Sequence, residues 1–105
     1  MMPDQNIFKL LSDDPAQYNA WSLKSKLMII VSLEIKNQGL TQHEAAKKLK
    51  TTQPRVSNLQ KGKMSKFSID MLMEFIFRLG YSADITFNPR NLDQPIKLVM
   101  NKSLV

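Results

Sequence analysis

Apolar residues toward the C-terminal end of the chain obey two different periods, and the change falls at a glycine. Ile69, Leu72, Met73, Ile76 and Leu79 recur at the spacing of one helix face, with Ser68 ahead of them as a cap and Gly80 as a stop. From Tyr81 the period becomes two: Tyr81, Ala83, Ile85 and Phe87 alternate with Ser82, Asp84, Thr86 and Asn88, which predicts a strand with one buried face. Earlier in the chain Leu23, Leu27, Val31 and Ile35 recur every fourth residue with Ile30 beside them, giving a core-facing stripe on a long first helix. That helix opens at Asp13-Asp14-Pro15, where carboxylates accept unpaired amides and proline suits the first turn, and it runs to about Gln38 with room for a break between Tyr18 and Trp21.

Two short helices fill the interval. Thr41 caps one that ends near Leu49, with Glu44 placed to return the cap, and Thr52 caps another from Gln53 to about Lys61. Three intervening residues do not let the pair run collinear. Ala45, Leu49, Val56 and Leu59 are the positions through which the two helices pack crosswise, and Ala46 is small where backbones approach. Gly39, Gly62 and Gly80 each follow a helical segment, as helix-closing glycines do.

The expected architecture is mainly α, a helix-turn-helix bundle of four to five helices in a single domain spanning 1–105. Within it, 1–13 is an N-terminal arm, 14–80 the helical core with the helix-turn-helix at 41–62, and 81–105 a C-terminal strand and tail. Ile96 to Met100 is a candidate second strand, although the linker from Pro89 to Pro95 is longer than a tight hairpin uses. One or two strands are not stable alone and a strand edge invites pairing. Tyr81, Ala83, Ile85 and Phe87 are therefore the expected homodimer interface, with packing on the chain's own helices or a partner protein as the alternatives.

Composition changes the picture by exclusion. The 105 residues are 43% apolar and 23% charged, enough for one small core. The absence of Cys excludes a disulfide framework and thiolate metal sites, and fits a cytosolic protein. The acidic start lacks the features of a secretory signal, and the apolar run at Met28 to Val31 is too short to span a bilayer. The glycosylation-like triplet Asn101-Lys102-Ser103 is then accidental. His43 has no second His, Cys or carboxylate pair near it in sequence and reads as an exposed helix residue. The methionines and phenylalanines read as core filling, and Trp21 as core cover or part of a partner site near the arm. No metal or cofactor is expected, and the residue inventory supplies no enzyme site.

Charge supplies the positive argument. Thr41 to Lys66 holds seven Lys or Arg against one acid, so the whole formal net charge of +6 sits there and the rest of the chain balances to zero. Basic groups on one compact unit displace counterions from phosphates and attract double-stranded DNA without regard to sequence. In a helix-turn-helix the second helix lies in the major groove with its N-terminal residues at base edges. Here Gln53 suits adenine, Arg55 suits guanine, Pro54 offers an apolar contact such as a thymine methyl, and Asn58 lies one turn onward.

These residues resemble the Xre family of repressors, whose type members are the lambdoid phage repressor and Cro, over about Leu40 to Leu79. Thr41-Gln42, Ala46, Val56, Leu59 and Gly62-Lys63 all fall at positions with equivalents in that family. The resemblance implies that Gln53, Pro54, Arg55, Ser57 and Asn58 face bases. It also implies that Gln42, Lys61, Gly62 and Lys63 hold the DNA backbone, with Thr41, Thr52 and Lys66 beside them. Where the family often has Gly in the turn this chain has Lys50, so the turn must accept a side chain, at positive φ with some strain. The Asn-Ile-Phe stretch near the start, the segment TTQPRVSNLQKGK, Phe67-Ser68 and the Gly-Tyr strand are similar to HigA-type antitoxins and their solitary relatives. That likeness implies a dimer that represses its own operon and a toxin as a further protein partner.

Overall fold

The structure, a computed structural model, describes residues 7–103. The first six residues of the expected arm, including Asn6 of the Asn-Ile-Phe stretch, thus lie outside the described residues. A single 3-10 turn at Ile7–Leu10 leads into α1 (Pro15–Asn37), which is started by Asp14 Oδ1 accepting the Ala16 amide at 3.0 Å. The helix runs without the break allowed for at Tyr18 to Trp21.

Its buried residues are Leu27, Met28, Val31 and Ile35. The expected stripe needs correction at Leu23 and Ile30, which are 45% and 48% exposed. A repeat of four residues advances ~40° per step on a helix of 3.6 residues per turn, so Leu23 has rotated far from the face that Ile35 presents. Met28 takes the place they were assigned. Trp21 is half-buried outside the main core, its ring 6.0 Å from that of Phe8.

Helix α2 (Gln42–Leu49) packs on α3 (Gln53–Gln60) and α4 (Ile69–Arg78), and α3 and α4 pack on α1. They enclose a core in which Val31, Ala45 and Leu72 are wholly buried and Ile35, Leu49, Val56, Leu59, Ile76 and Leu79 nearly so. Phe67 and Phe75 meet edge to face within it, with centroids 6.5 Å apart. Phe77 and Phe87, by contrast, are exposed, so the expected core role of the phenylalanines holds for only part of the set. Caps follow the sequence: Ser68 Oγ accepts the Met71 amide, and Thr41 and Glu44 form a reciprocal capping box.

Gln38, the residue that caps α1, joins three elements. Its amide donates to Leu79 O at 2.9 Å and to Glu34 at 2.8 Å, while Lys48 Nζ donates to its carbonyl oxygen at 2.7 Å. Glu34 also faces the Tyr81 hydroxyl closely enough that the carboxyl's pKa is lowered and the phenol's raised, which places the start of the C-terminal segment beside α1.

That segment is a two-stranded antiparallel hairpin, β1 (Tyr81–Phe87) and β2 (Ile96–Lys102), in the register Tyr81 opposite Lys102 to Phe87 opposite Ile96. The loop from 88 to 95 is ordered by Asn88 and Asn91, whose Oδ1 atoms accept amides two and three residues on, and closed by Asn88 N to Pro95 O at 2.7 Å. The long linker is therefore a hairpin loop and not a separation of two strands. The expectation of a buried face on β1 fails within this chain, where Tyr81 is half-buried and Ala83, Ile85 and Phe87 are exposed. The cause is direct: the hairpin residues packed on the core are Tyr81 and Met100 at its root, and among the described residues α4 is the one helix that packs substantially against it.

Two outcomes test this packing. Leu72→Ala removes a side chain with no exposure and should lower the urea-derived stability by about 2–5 kcal/mol. The Glu34 carboxyl is held below its ordinary range, chiefly by the Gln38 amide; burial opposes this as the next largest effect, and Tyr81, Asn37 and the Lys102 charge each add a smaller lowering. A carboxylate depressed in the folded state stabilises above its unfolded pKa and loses that contribution as pH falls through the folded value. Glu34→Gln should therefore flatten the acid limb of a profile of urea midpoint against pH.

Candidate nucleic-acid interface

Neither α2 nor α3, at eight residues each, is long enough to persist alone in water. Their relative position comes from Ala45, Ala46 and Leu49 on one and Val56 and Leu59 on the other, all buried. The turn between them is closed by Thr51 N to Ala46 O at 2.9 Å and Lys50 N to Lys47 O at 3.2 Å. Lys50 adopts φ 56, ψ 48, the left-handed conformation expected at this position and normally given to glycine. At the far end Lys63 N to Asn58 O and Gly62 N to Leu59 O, both 3.0 Å, close α3 in the same way with Gly62 at φ 74.

Since Val56 and Leu59 point inward, the opposite face of α3 and its cap carries Pro54, Ser57, Asn58 and Lys61 at i, i+3, i+4 and i+7. Pro54 and Lys61 are exposed and Ser57 and Asn58 half-buried. Gln53 is exposed on one flank. Arg55 is on the other, half-buried, with Nη1 3.3 Å from Sδ of Met71 on α4. Its guanidinium thus leans back on the bundle rather than outward with Asn58.

Thr41 and Thr52 each use the hydroxyl as a helix cap, accepting the Glu44 amide at 3.1 Å and the Arg55 amide at 3.3 Å. Gln42 Nε2 donates to Gln60 Oε1 at 2.9 Å, joining the start of α2 to the end of α3. Gln60 was not expected as part of the site; eighteen residues separate the pair, and no local pattern marks such a contact. Met71 escaped notice for the same reason. Lys66 ends a 3-10 turn, Met64–Lys66, that is tied to α1 by Lys24 Nζ and Met64 O at 3.5 Å.

Six exposed lysines of this segment, Lys47, Lys48, Lys50, Lys61, Lys63 and Lys66, surround the two helices. Among the described residues none of them forms an ion pair; the ion pair found is Arg78 with Glu74 on α4, at 3.1 Å. The one acid of the segment, Glu44, has its pKa lowered chiefly by hydrogen bonds from the Thr41 backbone and side chain. Its charge therefore serves the helix start and does not neutralise a lysine. Among the described residues no group of three His, Cys, Asp or Glu stands where it could hold a metal ion, and no helix is long and apolar enough to cross a membrane.

A bundle that presents a short helix, held crosswise on another and ringed by unpaired lysines, defines a helix-turn-helix DNA-binding unit. The model of the helix-turn-helix domain family matches residues 10–88, and the chain belongs to that family. It is a DNA-binding regulator. No curated protein matches the chain.

The turn offers a test independent of DNA. Lys50→Gly should relieve roughly 1 kcal/mol of left-handed strain and raise the thermal midpoint by a few degrees. A fall in midpoint would show that Lys50 makes compensating contacts.

Proposed function

We propose that the protein is a sequence-specific transcriptional repressor that binds a palindromic operator as a dimer, with α3 in the major groove. The observation that carries this reading is the outward stripe Pro54, Ser57, Asn58 and Lys61 on a helix whose other face is locked into the core. Gln53, Pro54, Arg55, Ser57 and Asn58 read bases, Arg55 after swinging away from Met71. Thr41, Gln42, Thr52, Lys61, Gly62, Lys63 and Lys66 hold the phosphates, partly through the backbone amides of the capped helix starts. Residues 1–105 act as one DNA-binding domain, cytoplasmic and associated with the nucleoid, without enzymatic activity.

Two-fold symmetry requires half-sites one helical turn apart, roughly 34–36 Å. The likeness to HigA-type antitoxins extends the reading to an operon that encodes a toxin, neutralised by this protein and repressed by it. Co-purification of the product of a neighbouring gene tests that part.

Base contacts and phosphate contacts separate by mutation. Asn58→Ala or Arg55→Ala should cost about 1–3 kcal/mol on the preferred site and relax preference at one base position, while Lys63→Ala should weaken all duplexes alike and reduce the salt slope by about one. Binding-site selection from a randomised duplex pool measures the first and a salt titration the second. An unchanged preference in Arg55→Ala would remove that residue from the set of readers.

A further inference from the structure

The register of the hairpin sorts its side chains by face. Opposed residues in an antiparallel pair share a side, so Ala83 with Met100, Ile85 with Leu98 and Phe87 with Ile96 form one apolar face. Ser82, Asp84, Thr86, Lys97 and Asn101 occupy the other, with Val99 as its apolar member. Only the root of the apolar face, at Tyr81 and Met100, packs on the bundle. Farther out Ile85 is 66%, Phe87 69%, Ile96 62% and Leu98 50% exposed.

A second apolar surface stands uncovered on the outer side of α1. Leu23, Ile29, Ile30 and Leu33 are 45%, 56%, 48% and 60% exposed, although α1 buries Leu27, Val31 and Ile35 on its inner side. The two surfaces adjoin at the hairpin root, because Glu34, which holds Tyr81, lies one turn beyond Ile30. Within one chain they do not cover each other.

We propose that two copies of the chain exchange hairpins, each laying its apolar face across the outer face of the other's α1. The proposal rests on the dimer reading above and specifies its geometry. Length agrees: Ala83 to Phe87 spans roughly 14 Å of strand, and Leu23 to Leu33 spans roughly 15 Å of helix.

Area decides between this arrangement and the simpler one of hairpin face on hairpin face. At roughly 100 Å² of exposed surface for each large apolar side chain, exchange covers eight per copy, or roughly 800 Å² per partner, the size of a standard specific interface. Hairpin on hairpin covers four, half that area, and leaves α1 bare. Pairing of strand edges alone would satisfy backbone groups but leave both apolar faces in water.

Charge selects a second copy as the occupant. The basic helix-turn-helix repels its like, whereas the hairpin and its loop carry Asp84, Arg90, Asp93, Lys97 and Lys102, and the outer turns of α1 carry Lys26, Glu34 and Lys36. Both surfaces are of mixed sign, so like chains meet there without strong repulsion. A two-stranded sheet with no cover is also unstable in water, and the chain itself is the partner present wherever the chain is made.

The absence of cysteine makes the test direct. Sedimentation velocity of the whole chain comes first, followed by disulfide trapping between differently tagged, co-expressed Ile30→Cys and Leu98→Cys chains. The expected result is a dimer in which the two tags become linked, with little linkage in either variant expressed alone. A monomer at all concentrations would overturn the dimer reading itself. A dimer in which Leu98→Cys links to itself while the mixed pair does not would overturn the exchange and leave the dimer standing. Phe87→Lys serves as the second variant: it should yield a monomer with undiminished helical circular dichroism, and a surviving dimer would count against the hairpin as interface.

Discussion

The function of this chain hangs on two buried side chains. Helix α3 has eight residues, too few to hold its shape in water, and Val56 and Leu59, 1% and 2% exposed, are what fix it to the bundle. Once those two face inward, the positions that face outward follow from helix geometry without further choice. Pro54 costs little, because the amides of a first turn have no partner within the helix. The closures at Lys50 and Gly62 set where α3 begins and ends, and strain at Lys50 is tolerated because bonds on both sides of it over-determine the turn.

Charge and apolarity are segregated along the same chain. The segment from Thr41 to Lys66 is basic and among the described residues its lysines form no ion pair, while the hairpin and outer α1 are near neutral and each exposes an apolar face. The first property suits a polyanion, the second a protein surface. Gln38 lies between them, bonded to Lys48 of α2, to Leu79 at the end of α4 and to Glu34, which holds the hairpin.

Much of this was legible in the sequence because the signals are local. Capping residues, helix-closing glycines and the paired short helices came through, since each is decided within five or six residues, whereas the left-handed turn at Lys50 followed from the family resemblance, in which glycine often stands there. The stripe on α1 was misread at Leu23 and Ile30 because that helix carries more apolar residues than its neighbours can cover, and periodicity does not tell an inner face from an outer one. On β1 alternation shows that a face is apolar, not which molecule covers it, and within one chain that face is exposed beyond its root. The bonds of Gln42 with Gln60 and of Arg55 with Met71 join residues distant in sequence and left no trace in any window.

The central claim is that α3 reads sequence and is not merely a carrier of positive charge. Fluorescence anisotropy of the purified chain on duplex from its own promoter region and on a scrambled duplex, across a range of salt, tests it most directly. Preference for the promoter that persists as salt rises is the predicted result, because base contacts release no counterions. Equal binding to both duplexes that vanishes with salt would contradict the account.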